Sequence, residues 1–165
     1  MRTWIKVSAA SAVIFSLAAS TAQAQSGNIS ATANVLASIS VAQGRPLDFG
    51  NVTPGVNKTV ALTDATSGRF DATGAASAGV QIDFTLPANL TSGANNLSIA
   101  SWTGCWNTSN SAGAGCTAAN MGGSTNGSFS AGGQLFVFVG ATVSPTAAQA
   151  TGTYTANVTM TLSYL

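Results

Sequence analysis

Ile29-Ser-Ala-Thr-Ala-Asn-Val-Leu-Ala-Ser-Ile-Ser-Val41 is the stretch that decides the fold class. Ile29, Ala31, Ala33, Val35, Ala37, Ile39 and Val41 share one parity, and Ser30, Thr32, Asn34, Ser38 and Ser40 take the other, with Leu36 the single exception. A period of two sustained this long is a strand signal that no helical template reproduces. At about 3.3 Å per residue the run would extend roughly 40 Å, far beyond an ordinary strand of about 5–6 residues. It therefore reads as one long strand or as two consecutive pieces serving different places.

The far end repeats the pattern. Tyr154, Ala156, Val158, Met160, Leu162 and Tyr164 alternate with Thr155, Asn157, Thr159, Thr161 and Ser163. Between the two ends, Val80, Ile82, Phe84 and Leu86 alternate up to Pro87, and Leu97, Ile99 and Trp102 do so less regularly. Leu135-Phe-Val-Phe-Val139 is apolar on both faces, as a central buried strand would be. Turn residues over 44–55 bracket a short Leu47/Phe49 strand, and 56–62 reads as another brief one. Asp64 and Asp71 each open an Asp-Ala-Thr tripeptide near Gly68 and Gly74, which is turn or strand-end chemistry. The Gly-, Ser-, Asn- and Ala-rich stretch 104–133 reads as a long loop. Short strands, frequent turns and no helical period together predict an all-β sandwich.

Composition narrows the function. The 165 residues suit one domain, and charged residues make up 5% of them, against roughly 25% in an average protein. Met1-Arg-Thr-Trp-Ile-Lys6, the apolar run over 7–19 and Ala22-Gln23-Ala24 are the three parts of a secretory signal. The apolar run is shorter than the roughly 20 residues of a membrane span, and Ser8, Ser11 and Ser16 interrupt it. Residues 1–24 are expected to be a signal peptide, and the mature chain to be exported without a membrane span. It then keeps Arg45, Lys58 and Arg69 against Asp48, Asp64, Asp71 and Asp83, a formal charge of −1. Three scattered cations cannot make a nucleic-acid footprint.

The chain has no histidine, which removes His-dependent triads and His-ligated metals. Four dispersed aspartates offer no acid–base pair and no calcium-loop spacing, so neither an enzyme nor a metal or cofactor is expected. Cys105 and Cys116, a pair in an exported chain, read as one disulfide. Trp102 and Trp106 flank Cys105; they read as a cover for the disulfide and core rim, or as a possible ligand surface that stacks on sugars.

The two terminal segments carry the most information. Natural sheets guard their edges with Lys, Pro or bulges because unpaired main-chain groups recruit other strands. Here both segments are long, regular and uncharged. Either they pair with each other within the chain, or pairing between chains is their purpose.

Tyr164 stands next to the last residue, Gly152 is the fourteenth from the end, and the apolar residues between them keep the parity of Tyr164. This pattern resembles the closing strand of chaperone–usher pilus subunits. The stretch Leu47-Asp-Phe-Gly-Asn-Val-Thr-Pro-Gly55, with Thr85-Leu-Pro87 and Gly152-Thr-Tyr-Thr-Ala-Asn-Val158, is similar to a bacterial secreted family, domain of unknown function 4402. That family resembles archaic chaperone–usher pilins and spore-coat-U-like domains.

The resemblance implies an immunoglobulin-like, pilin-type β-sandwich that is incomplete and is completed by a donor strand from a neighbouring subunit. Residues 25–35 would be the donor extension, with Ile29, Ala31, Ala33 and Val35 entering the neighbour's groove, and 36–165 the pilin-like domain. Ala37, Ile39 and Val41 on one wall, and Tyr154, Ala156, Val158, Met160, Leu162 and Tyr164 on the other, would form the acceptor groove. The implied partners are further copies of the chain, a periplasmic chaperone and an outer-membrane usher. The implied location is a cell-surface fibre reached through the periplasm. Two competing expectations are a secreted adhesin or carbohydrate-binding sandwich using Trp102 and Trp106, and a sandwich whose first strand pairs with its own last.

Overall fold

The computed structural model describes residues 25–165, so the expected signal peptide lies outside the described residues. Gln25–Asn34 and Val35–Leu165 are separate units. The first is exposed throughout and has no regular secondary structure. Ladder pairing within the alternating run starts only at Ser40, so the run is not one continuous strand.

Among the described residues the chain has ten strands and no helix: β1 Ser40–Arg45, β2 Lys58–Val60, β3 Gly68–Thr73, β4 Gly79–Thr85, β5 Asn89–Ser92, β6 Asn95–Asn107, β7 Thr117–Ala118, β8 Thr125–Ser128, β9 Gln134–Ser144 and β10 Thr159–Tyr164. The fold is all-β, two antiparallel sheets arranged as a sandwich. The larger sheet has the order β1-β3-β9-β6-β5, with β2 also on β9 and β7 also on β6; the smaller has the order β10-β4-β8.

The expected central strand is central. β9 lies between β3 and β6, and its Leu135, Val137, Val139, Ala141 and Val143 are all nearly inaccessible on one face. Phe138, of opposite parity, is also buried, and it shares a cleft with Asn110–Gly113 of the disulfide loop. Cys105 and Cys116 are bonded, with Cα atoms 5.6 Å apart.

The core falls into two clusters. The first fills the space between the sheets with Ala72, Val80, Ile82, Phe129, Leu135, Val137 and Met160. The second, built on Phe49, Val60, Leu97, Ile99, Ala141 and Val143, lies on the other half of the larger sheet. Its outer cover is not a strand but irregular chain carrying Leu47, Val52 and Tyr154. The expected Leu47/Phe49 strand is therefore absent, although Phe49 is buried as a strand residue would be.

Three further differences have local causes. Stretch 104–133 is not simply a loop, because it holds the end of β6 together with β7 and β8. Its small residues allow close packing: a Cβ on Gly127 would lie 3.0 Å from Ile82 and 3.3 Å from Trp106. The irregular Leu97/Ile99/Trp102 pattern comes from a bulge between Ala100 and Thr103, where Ser101 has φ 51°. That extra residue changes which parity faces inward, so Trp102 joins Ile99 in the second cluster. Finally, the last strand begins its ladder at Thr159, not at Tyr154.

Arg45, at the end of β1, fixes that strand to its neighbours. Its Nε donates to the Ser67 carbonyl at 2.6 Å and its Nη2 to Ser67 Oγ at 2.5 Å, and Ser67 is fully buried. Arg45→Met keeps the aliphatic stem but leaves both Ser67 acceptors without their donor. It is expected to lower stability by about 1–3 kcal/mol, read as a shift in the urea midpoint with an unchanged slope.

Candidate functional site: a gap between the first and last strands

β10 ends the smaller sheet and β1 ends the larger one, so each leaves one flank of main-chain groups without a ladder partner. On β10 the direction of those groups follows from the register. Leu165 N donates to Gly79 O at 3.2 Å, in step with Tyr164 opposite Val80. Hydrogen-bonded pairs alternate along an antiparallel ladder, so Thr159, Thr161 and Ser163 bond to β4. The N–H and C=O groups of Met160, Leu162 and Tyr164 point to the open flank. The side chains of these same three residues pack into the first cluster.

Before β10 the chain leaves the smaller sheet. Thr155 exchanges both main-chain hydrogen bonds with Thr91 of β5, at 2.9 and 3.0 Å. Gly152 runs so close to β5 that a Cβ there would stand 2.6 Å from Ser92 Oγ. Tyr154 is fixed by its hydroxyl, which accepts from Gln149 Nε2 and donates to the Ala150 carbonyl, both at 2.8 Å. Ala156–Val158 then crosses from one sheet to the other outside any ladder.

That crossing forms one wall of a cavity of about 740 Å³. The opposite wall is the end of β1 and the irregular chain after it, and Leu97, Ile99, Trp102 and Val143 form the floor. The gap is open at this cavity end and joined at the other. There Tyr164 Oη donates to the Ala37 carbonyl at 2.6 Å and accepts from Ala75 N at 2.7 Å. Its ring meets Phe129 edge-on at 6.2 Å.

The residues singled out from sequence therefore divide. Ile29 and Val35 are 97% and 91% exposed, and Ala31 and Ala33 are exposed as well. Ala37 and Val41 are exposed, whereas Ile39 packs against the first cluster. Tyr154, Ala156 and Val158 line the cavity, while Met160, Leu162 and Tyr164 belong to the inter-sheet core. The two tryptophans are not brought together on one surface: Trp102 lines the cavity, and Trp106 packs into the first cluster with its Nε1 buried and without a partner. The cavity wall around Phe49 was not among the expected site residues, although Phe49 between turn residues was its signal. Among the described residues, no three His, Cys, Asp or Glu side chains cluster as a metal site requires. No family model, curated protein or solved structure matches the chain.

Proposed function

We propose that the protein is a structural subunit of an extracellular fibre that polymerises by donor-strand complementation. Residues 29–35 of one copy would lie in the gap of the next, against the open flank of β10. The observation that carries this is that flank itself: uncharged, unpaired and joined at its Tyr164 end to the chain that leads into β1. Lengths agree, since seven donor residues extend about 23 Å and the six of β10 about 20 Å. Ile29, Ala31, Ala33 and Val35 share one parity and are exposed, so their substitution leaves the core untouched. Two of the four are alanines that bury little area, and main-chain bonds at a net 0.5–1.5 kcal/mol each supply part of the affinity. The fold would then be an incomplete pilin-type sandwich. A periplasmic chaperone would cover the gap before assembly at an outer-membrane usher. Sugar capture, the competing reading, would rest on Trp102 alone, because Trp106 is packed in the core.

The test is an unboiled SDS gel of the exported chain 25–165 beside a chain lacking 25–35. Strand donation gives a ladder that collapses on boiling and is lost in the shortened chain. A lone monomer in the full-length lane, unfolded by the truncation, would mean that the segment completes its own subunit, and the fibre function would be abandoned.

A further inference from the structure

The gap is joined at one end and open at the other, and the join involves the point where the N-terminal segment leaves the domain. β1 runs from Ser40 towards the cavity, and β10 runs from the cavity towards Tyr164. The chain before Ser40 therefore emerges at the Tyr164 end. For the preceding residues to enter their own gap, the chain would have to reverse at Leu36 and pass Ala37. The Ala37 carbonyl is held by Tyr164 Oη, and the same hydroxyl is held in turn by Ala75 N–H. A Cβ on Gly74 would lie 2.8 Å from that hydroxyl and 2.4 Å from the Phe129 ring, so there is little room for the hydroxyl to shift. At the cavity end, no hydrogen bond among the described residues joins Ala156–Val158 to β1 or to the chain after it.

We propose that Tyr164 is a positioning residue that keeps the N-terminal segment out of its own subunit's gap and so directs it to a second copy. This rests on the strand-donation function proposed above, and it adds the choice between self-insertion and exchange. The mechanism needs no movement of the core. It needs only that the tyrosine hydroxyl fix the main chain at Ala37, one residue beyond exposed Val35 and Leu36.

Tyr164→Phe keeps the ring and its contact with Phe129 and removes both hydrogen bonds. Two readouts on the exported chain 25–165 separate the outcomes. In the first, monomer and ladder are quantified on unboiled gels over a dilution series. Self-inserted monomer is independent of concentration, and exchanged polymer is not. Tyr164→Phe is expected to raise the concentration-independent monomer relative to ladder by about five-fold, the equivalent of one net hydrogen bond. Val60→Ala, which destabilises the second cluster away from the join, should leave that ratio unchanged. An equal rise in Val60→Ala, or no rise in Tyr164→Phe while the wild type still forms a ladder, overturns the role of Tyr164 and leaves the fibre function standing.

In the second readout, a nitroxide on Leu36→Cys reports main-chain mobility next to Ala37 in chains that also carry Ile29→Asp and Val35→Asp, so that the segment neither exchanges nor inserts. It is expected to be restricted with Tyr164 and freed in Tyr164→Phe. Equal mobility in the two chains overturns the proposal directly. Absence of any wild-type ladder overturns the fibre function instead.

Discussion

Gly140→Ala is expected to be among the most damaging single substitutions in the chain, with a loss of about 3 kcal/mol or more and little folded protein recovered at 37 °C. Gly140 lies in the middle of β9, at the point where one flank of that strand passes from β3 to β2. A Cβ there would stand 2.5 Å from the Val60 carbonyl oxygen, 2.8 Å from Thr103 Oγ1 and 3.4 Å from the Ala61 carbonyl carbon. Two of these three obstacles are backbone of the β2 segment, which cannot rotate aside as a side chain would. β2 has only three residues on which to hold its place, so relief of the clash would detach it from β9. Val60, at 3% exposure part of the second cluster, would then leave the core. A denaturant midpoint within error of the parent would show that β2 has slack the geometry does not suggest.

Removal of the disulfide by the pair Cys105→Ala and Cys116→Ala is the second large effect. Closing an eleven-residue separation restricts the unfolded chain by roughly 3 kcal/mol in the chain-entropy description. The bond also keeps the loop after β6 over Phe138. At the end of β6 Asn107 is buried, and its Nδ2 donates to the Ser111 and Ala114 carbonyls of the loop, both at 2.8 Å, while its Oδ1 accepts from Ser109 N. Those bonds, with the pairing of β7 on Cys105 and Trp106, hold both ends of the loop to β6, and the disulfide adds a covalent tie to them. Without the covalent tie, faster exchange of the amides around Asn107 is expected, together with a melting temperature lowered by several degrees. Unchanged exchange there would mean that Asn107 and the β7 pairing hold the loop without the disulfide.

How much of this could be read from sequence depended on whether burial left a trace in residue type. Val80 to Phe84 and Met160 to Tyr164 carry their parity openly, because each faces the inter-sheet core and needs bulk there, and Leu135 to Val139 is legible as an unbroken apolar run. β8 carries no such trace. Gly127 is accommodated because it is small and Trp106 fills the space, so the informative residue lies on another strand. Ala156 and Val158 show the opposite failure. Their alternation is regular, but Thr155 is bonded to β5 and draws this part of the chain off the ladder. Which strand a segment chooses is set by register with distant residues, and local periodicity does not encode it. The two terminal segments were legible as uncharged alternating runs, although β1 itself ends in Arg45. The cavity was not, since its second wall is irregular chain whose only sequence mark is Phe49 among turn residues.

The direction of the open main-chain groups on β10 has a mechanical consequence. Met160, Leu162 and Tyr164 present their donors and acceptors perpendicular to the strand axis, as antiparallel pairing requires. A strand seated there and pulled along that axis would strain all of its rungs together, because none can open before the others. The same strand peeled sideways would lose them in succession under a much smaller force. The flank is thus strong against a pull along β10 and weak against one across it.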